Sequence, residues 1–108
     1  SAEAERRILS VFEKEPWTVL LSDSAFSALQ RLKSKQQESA LRAFKSLATG
    51  HWPQNQKKEV ATHDKYKLRR ACFDLYSILW GIDFEFQQGM DAFVEVIQIW
   101  DVCNEESY

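Results

Sequence analysis

The spacing of apolar residues along this chain changes character twice. In residues 2–15, Ile8, Val11 and Phe12 fall at i, i+3 and i+4, which is one face of a helix. Pro16 ends that helix, because the residue before a proline is pushed away from helical dihedrals. Residues 17–21 (Trp-Thr-Val-Leu-Leu) form a short apolar run of strand type, predicted to be the first strand. Ser22, Asp23 and Ser24 then supply N-cap side chains. A helix follows to about Lys33, with Phe26, Leu29 and Leu32 on one face. Ser34 is placed to cap the next helix, with Gln37 in the capping-box position. Its inward face is Ala40, Leu41, Phe44, Leu47 and Ala48. Gly50 suits the C′ position, and Trp52-Pro53 prevents continuation. The two helices nearly abut, which predicts an antiparallel hairpin. Its outward side carries Arg31, Lys33, Lys35, Arg42 and Lys45.

Residues 54–64 are polar and read as a loop. From 65 to 102 the pattern becomes one of strands, in three runs rich in aromatic and β-branched residues. In the first, Tyr66, Leu68, Arg70 and Cys72 share one face, and Lys67, Arg69, Ala71 and Phe73 the other. In the second, Tyr76, Ile78, Trp80, Ile82, Phe84 and Phe86 make a wholly apolar face that should meet the helices. Phe84 and Phe86 reach past what two short helices can cover and are candidates to cover a sheet edge instead. The third, residues 93–102, is apolar on both faces and belongs centrally in the sheet. The connectors are too short for parallel crossovers, so the three runs form an antiparallel meander. The predicted class is α+β: a small antiparallel sheet built as strand, two-helix hairpin and three-stranded meander, with the helices on one face and an extra N-terminal helix. Residues 1–16 form that helical extension, and 17–108 the domain.

Composition adds one fact that changes this picture. The 108 residues carry a net charge of only −2, but all 14 Lys and Arg lie at or before Arg70, together with 8 of the 16 acidic residues. The charge is therefore +6 up to Arg70 and −8 beyond it, an asymmetry that points to a charged partner surface. No apolar run approaches a membrane span. Two cysteines, Cys72 and Cys103, make no disulfide framework, so reduced thiols in a cytoplasmic or nuclear setting are expected. The absence of an initiator Met fits a fragment of a larger protein.

The element order, with Tyr66-Lys67-Leu68-Arg69-Arg70, Leu75-Tyr76-Ser77-Ile78-Leu79-Trp80 and Val96-Ile97-Gln98-Ile99-Trp100 on successive strands and a Gly-His-Trp-Pro exit from the helices, resembles the RelE/ParE toxin superfamily over residues 17–108. The resemblance implies one of two activities. RelE-like members cleave mRNA in the ribosome without a metal, using basic side chains to bind phosphate and stabilise charge on the scissile group while the ribose 2′-hydroxyl attacks. ParE-like members inhibit gyrase by protein contact, and both kinds bind antitoxin peptides. Carried over residue by residue, Arg69 or Arg70 matches the basic position at the end of the second strand. Lys57, Lys58, Lys65 and Lys67 stand for the preceding lysines, and Tyr108 for the C-terminal tyrosine. The arginine expected after the third strand's tyrosine is Ser77 here. The segment after the last strand is acidic, which weakens any metal-independent endoribonuclease activity.

The candidate RNA-binding residues are therefore Lys57, Lys58, Lys65, Tyr66, Lys67, Arg69 and Arg70, a basic stripe interrupted by an aromatic. The candidate catalytic residues are Arg69, Arg70 and Tyr108. The competing explanation of the stripe is an edge strand protected by Lys and Arg. His51 and His63 are isolated, no Cys/His spacing suits zinc, and three scattered glycines make no phosphate loop, so no metal or cofactor is expected. RNA or the ribosome is the expected partner. The alternative is a catalytically inactive protein-interaction module of a larger, helicase-type protein, docking a partner or a neighbouring domain of its own chain. Trp52, Trp80 and Trp100 read as core or core-edge residues, an exposed one marking a binding face.

Overall fold

The computed structural model describes residues 15–63, 66–73 and 76–104. The predicted N-terminal helix lies outside the described residues. Strand β1 (Val19–Leu21) leads into helix α1 (Asp23–Arg31) and helix α2 (Ser34–Ala48). A 3₁₀ turn (Gln54–Gln56) precedes β2 (Lys58–His63), β3 (Tyr66–Phe73), β4 (Tyr76–Gln87) and β5 (Ala92–Asn104). The strands form one five-stranded sheet in the order β1-β5-β4-β3-β2.

The α+β class and the two helices on one face are as the sequence predicts, and β5 is interior as its two apolar faces require. Two features differ. The expected loop at 54–64 is mostly a strand: Lys58 to His63 pair antiparallel with β3, making the meander four-stranded. Lys58-Glu59 and Thr62-His63 give this segment the polar look of an edge strand, which hides it from an apolar-run criterion. β1 joins β5 in parallel, Val19 opposite Ile97 and Leu21 opposite Ile99, so the sheet is mixed. The two helices and three strands between them supply the long crossover that a parallel pair needs.

Both helices form where their side chains satisfy their ends. The Ser22 hydroxyl accepts from the Ala25 N–H at 3.0 Å and donates to the Trp100 carbonyl at 2.6 Å, tying the start of α1 to β5. The second cap sits one residue earlier than the sequence predicts. Lys33, not Ser34, is the N-cap, and the Gln36 carboxamide oxygen accepts its N–H at 3.1 Å. Gln37 instead donates its side-chain N–H to the Leu29 carbonyl at 3.1 Å, holding the two helices together. Gly50 is the C′ residue with φ +82°, and a β-carbon there would stand 2.8 Å from the Trp17 indole nitrogen.

The core lies between the helices and one face of the sheet. Ala25, Ala28, Leu29, Ala40, Ala43, Phe44, Leu47 and Ala48 meet Val19, Leu21, Ala71, Ile78, Trp80, Ile97, Ile99 and Val102. Each fully buried large side chain contributes roughly 1.5–3 kcal/mol. On the far side of the sheet, Trp100 is the extra residue of a β-bulge: Leu79 pairs with Asp101 and Trp80 with Ile99, skipping it. It is 41% exposed and so departs from the core reading, while Trp80 is fully buried. Gly81 lies beneath it, where a β-carbon would stand 2.9 Å from the Lys67 carbonyl oxygen.

Candidate RNA-binding site

The exit of α2 and the start of β3 meet through a row of rings. The Trp52 indole N–H donates to the Leu47 carbonyl at 2.8 Å, satisfying one of the orphan acceptors at the helix end. This fixes Trp52 between Trp17, at 5.2 Å between centroids, and Trp80, at 5.0 Å, both tilted as aromatic pairs prefer. The Arg69 guanidinium lies against the same row, 5.8 Å from the Trp52 centroid and 5.4 Å from that of Trp80. Contact with each ring is worth about 0.5–2 kcal/mol, depending on desolvation.

Strand alternation explains why Arg69 is there. It pairs with Trp80, and with Lys67, Ala71 and Phe73 it points to the helix side of the sheet. Ala71 is buried and Phe73 packs on the core, so Arg69 is where the apolar half of β3 gives way to its charged half. Lys67 continues that face outward and is exposed. Its amine lies 4.0 Å from the Glu59 carboxylate, an exposed pair worth no more than about 1 kcal/mol. Glu59 also pairs in register with Arg69, so one carboxylate sits between the two cations of this face. Lys57 is exposed at the end of the 3₁₀ turn beside β3.

The sequence-predicted cluster therefore divides. Lys67 and Arg69 share the helix-side face, with Lys57 close in the chain. Arg70 is half-buried on the opposite face, in register with Lys58 and Leu79. The backbones of Lys58 and Tyr66 belong to β2 and β3. Their side chains, and Lys65 and Tyr108 altogether, lie outside the described residues. Sequence reasoning missed Trp17 and Trp52 as the platform under Arg69 and Glu59 as its neighbouring acid. The signal for the first was available, because Arg69 alternates with Ala71 and Phe73 and must face the apolar layer.

Among the described residues, no group of three or more His, Cys, Asp or Glu side chains is arranged to hold a metal ion. His51 is exposed on the loop after α2, its backbone N–H donating to the Thr49 hydroxyl at 3.3 Å. No helix among the described residues is long and apolar enough to cross a membrane.

No protein-family model matches the chain, and no curated protein matches it significantly. Among solved structures, the chain is similar to one in the archaeal RelE–RelB complex from Pyrococcus horikoshii OT3. The two superpose with a TM-score of 0.62 over 86% of this chain and 99% of the other, at 17% sequence identity. The chain thus has a RelE-like fold.

Proposed function

We propose that residues 17–108 are a RelE-like domain that binds single-stranded RNA, with metal-independent cleavage weak or lost. The observation that carries this reading is the Arg69 guanidinium held against Trp52 and Trp80, with Lys67 exposed on the same face. A half-exposed indole offers a stacking surface to a base, and fixed cations beside it take the adjoining phosphates. Lys57, Lys58, Lys65 and Tyr66 extend the same patch along β2 and β3. For cleavage, a cation fixed at the scissile phosphate would stabilise the charge that develops as the 2′-hydroxyl attacks. Arg69 is the better placed of the two arginines, since Arg70 faces away from the ring row. Tyr108 is the remaining candidate. Asp101, Glu105 and Glu106 stand where the fold's relatives are expected to be basic, which favours binding over turnover.

The test is fluorescence anisotropy of a labelled single-stranded RNA titrated with the full chain across a salt series. Affinity that falls linearly in log–log form with salt supports phosphate contacts at this patch. No binding at low salt overturns the RNA reading.

A further inference from the structure

The sheet outruns its helices. Pairing between β3 and β4 starts at Arg69 opposite Trp80, and pairing between β1 and β5 at Val19 opposite Ile97. β4 and β5 continue together to Gln87 opposite Ala92, closed by a turn with Asp91 at φ +49°. Among the described residues, 84–87 and 92–95 pair only with each other. A two-stranded ribbon of this kind is marginal on its own.

Alternation carries the helix-side face of the sheet out along this ribbon. Beyond Ile82 and Ile97 it presents Phe84, Phe86, Phe93 and Glu95. Phe84 is 63% exposed, Phe86 45% and Phe93 70%, with Met90 in the turn at 70%. Phe86 and Phe93 meet edge to face at 5.3 Å, so the rings form one surface. Near the core, α1 and α2 seal this same face; here no described residue does. Contiguous exposed aromatics of this kind mark interaction surfaces.

Charge decides what covers it. Asp83, Glu85, Asp91 and Glu95 border the rings, and no Lys or Arg follows Arg70 anywhere in the sequence. Nucleic acid and anionic membrane are both repelled. A second copy in a two-fold contact would set the same acids against themselves. An apolar surface with basic borders remains.

We propose that the outer half of the β4–β5 ribbon is the docking site for an amphipathic helix of a partner protein. Its apolar stripe lies on Phe84, Phe86 and Phe93, and Lys or Arg side chains along its borders meet Asp91 and Glu95. Such a helix occupies the part of the helix layer that α1 and α2 leave open, and reads as anchors at i, i+3/i+4 and i+7. The site shares no residue with the Lys57, Lys67 and Arg69 patch and does not depend on RNA binding.

The test is selection of a displayed library of 16-residue peptides on the full chain, followed by titration of the selected peptides. The expected winners carry apolar residues at helical spacing bordered by Lys and Arg. Phe84→Ser with Phe93→Ser should weaken them at least tenfold, Glu95→Lys severalfold, and Arg69→Ala less than twofold. Circular dichroism should show the variants folded, since the replaced rings are exposed. Winners that are acidic or uncharged, or that bind the double variant equally well, overturn the proposal. So does a chain that sediments as a dimer and becomes monomeric on Phe93→Ser, because a second copy is then the occupant.

Discussion

The Arg69 guanidinium lies 5.8 Å from the centroid of the Trp52 ring, and Trp52 in turn donates its indole N–H to the last turn of α2. The side chain best placed to meet a phosphate is thereby fixed by the element that closes the core. Binding and stability are coupled at this point, and the variants that separate them are specific.

Arg69→Ala should lower affinity for single-stranded RNA about tenfold, or roughly 1.4 kcal/mol, and reduce the salt slope by about one. Arg70→Ala, on the opposite face, should change affinity less than threefold. Equal losses from the two would mean that RNA does not use the helix-side face.

Trp52→Phe keeps a ring beside Arg69 but removes the donor to Leu47, and should cost about 1 kcal/mol. Trp52→Ala removes the ring as well and should approach the 3–5 kcal/mol typical of large aromatic deletions. Urea denaturation distinguishes them: the midpoint falls in both while the slope is unchanged.

Gly50→Ala should destabilise the chain by about 1–3 kcal/mol, because its φ of +82° is strained for any other residue and the added carbon would press on Trp17. Thermal unfolding reads this directly. A variant as stable as the parent would mean that the end of α2 adopts another geometry in solution.

Phe93→Ser should change stability by no more than about 0.5 kcal/mol, since the ring is largely exposed and leaves no cavity. Chemical denaturation of this variant checks that the ribbon's rings serve contact with something outside the chain. A large loss would instead assign them to the fold.

Much of this architecture is legible in the sequence, and the reasons are local. Ile78, Trp80 and Ile82 alternate cleanly, so their burial against Leu29, Phe44 and Leu47 follows from period alone. Gly50 announces the end of α2 because few other residues tolerate its dihedral. Phe84 and Phe86 are readable as overrunning the helices. β2 is not legible, because an edge strand is selected to look polar. The shift of the second cap from Ser34 to Lys33 turns on which glutamine folds back, a choice between adjacent residues that spacing does not resolve. The division of the basic cluster is half legible. Alternation separates Arg69 from Arg70, but the Trp52 platform depends on the exit angle of α2, which is set by tertiary packing.

β5 is both the last strand in the chain and an interior strand of the sheet, bonded to β1 on one side and β4 on the other. Its partners Val19 and Ile97 stand at opposite ends of the sequence. While a ribosome is still making the chain, then, β1 has no neighbour and the apolar underside of both helices has only part of a sheet to rest on. Closure waits until Val102 has emerged, and pays the loop entropy of its longest-range contacts in one late step. Nascent chains stalled short of β5 should accordingly be protease-sensitive throughout, and the domain should acquire its form as a whole rather than from its beginning onward.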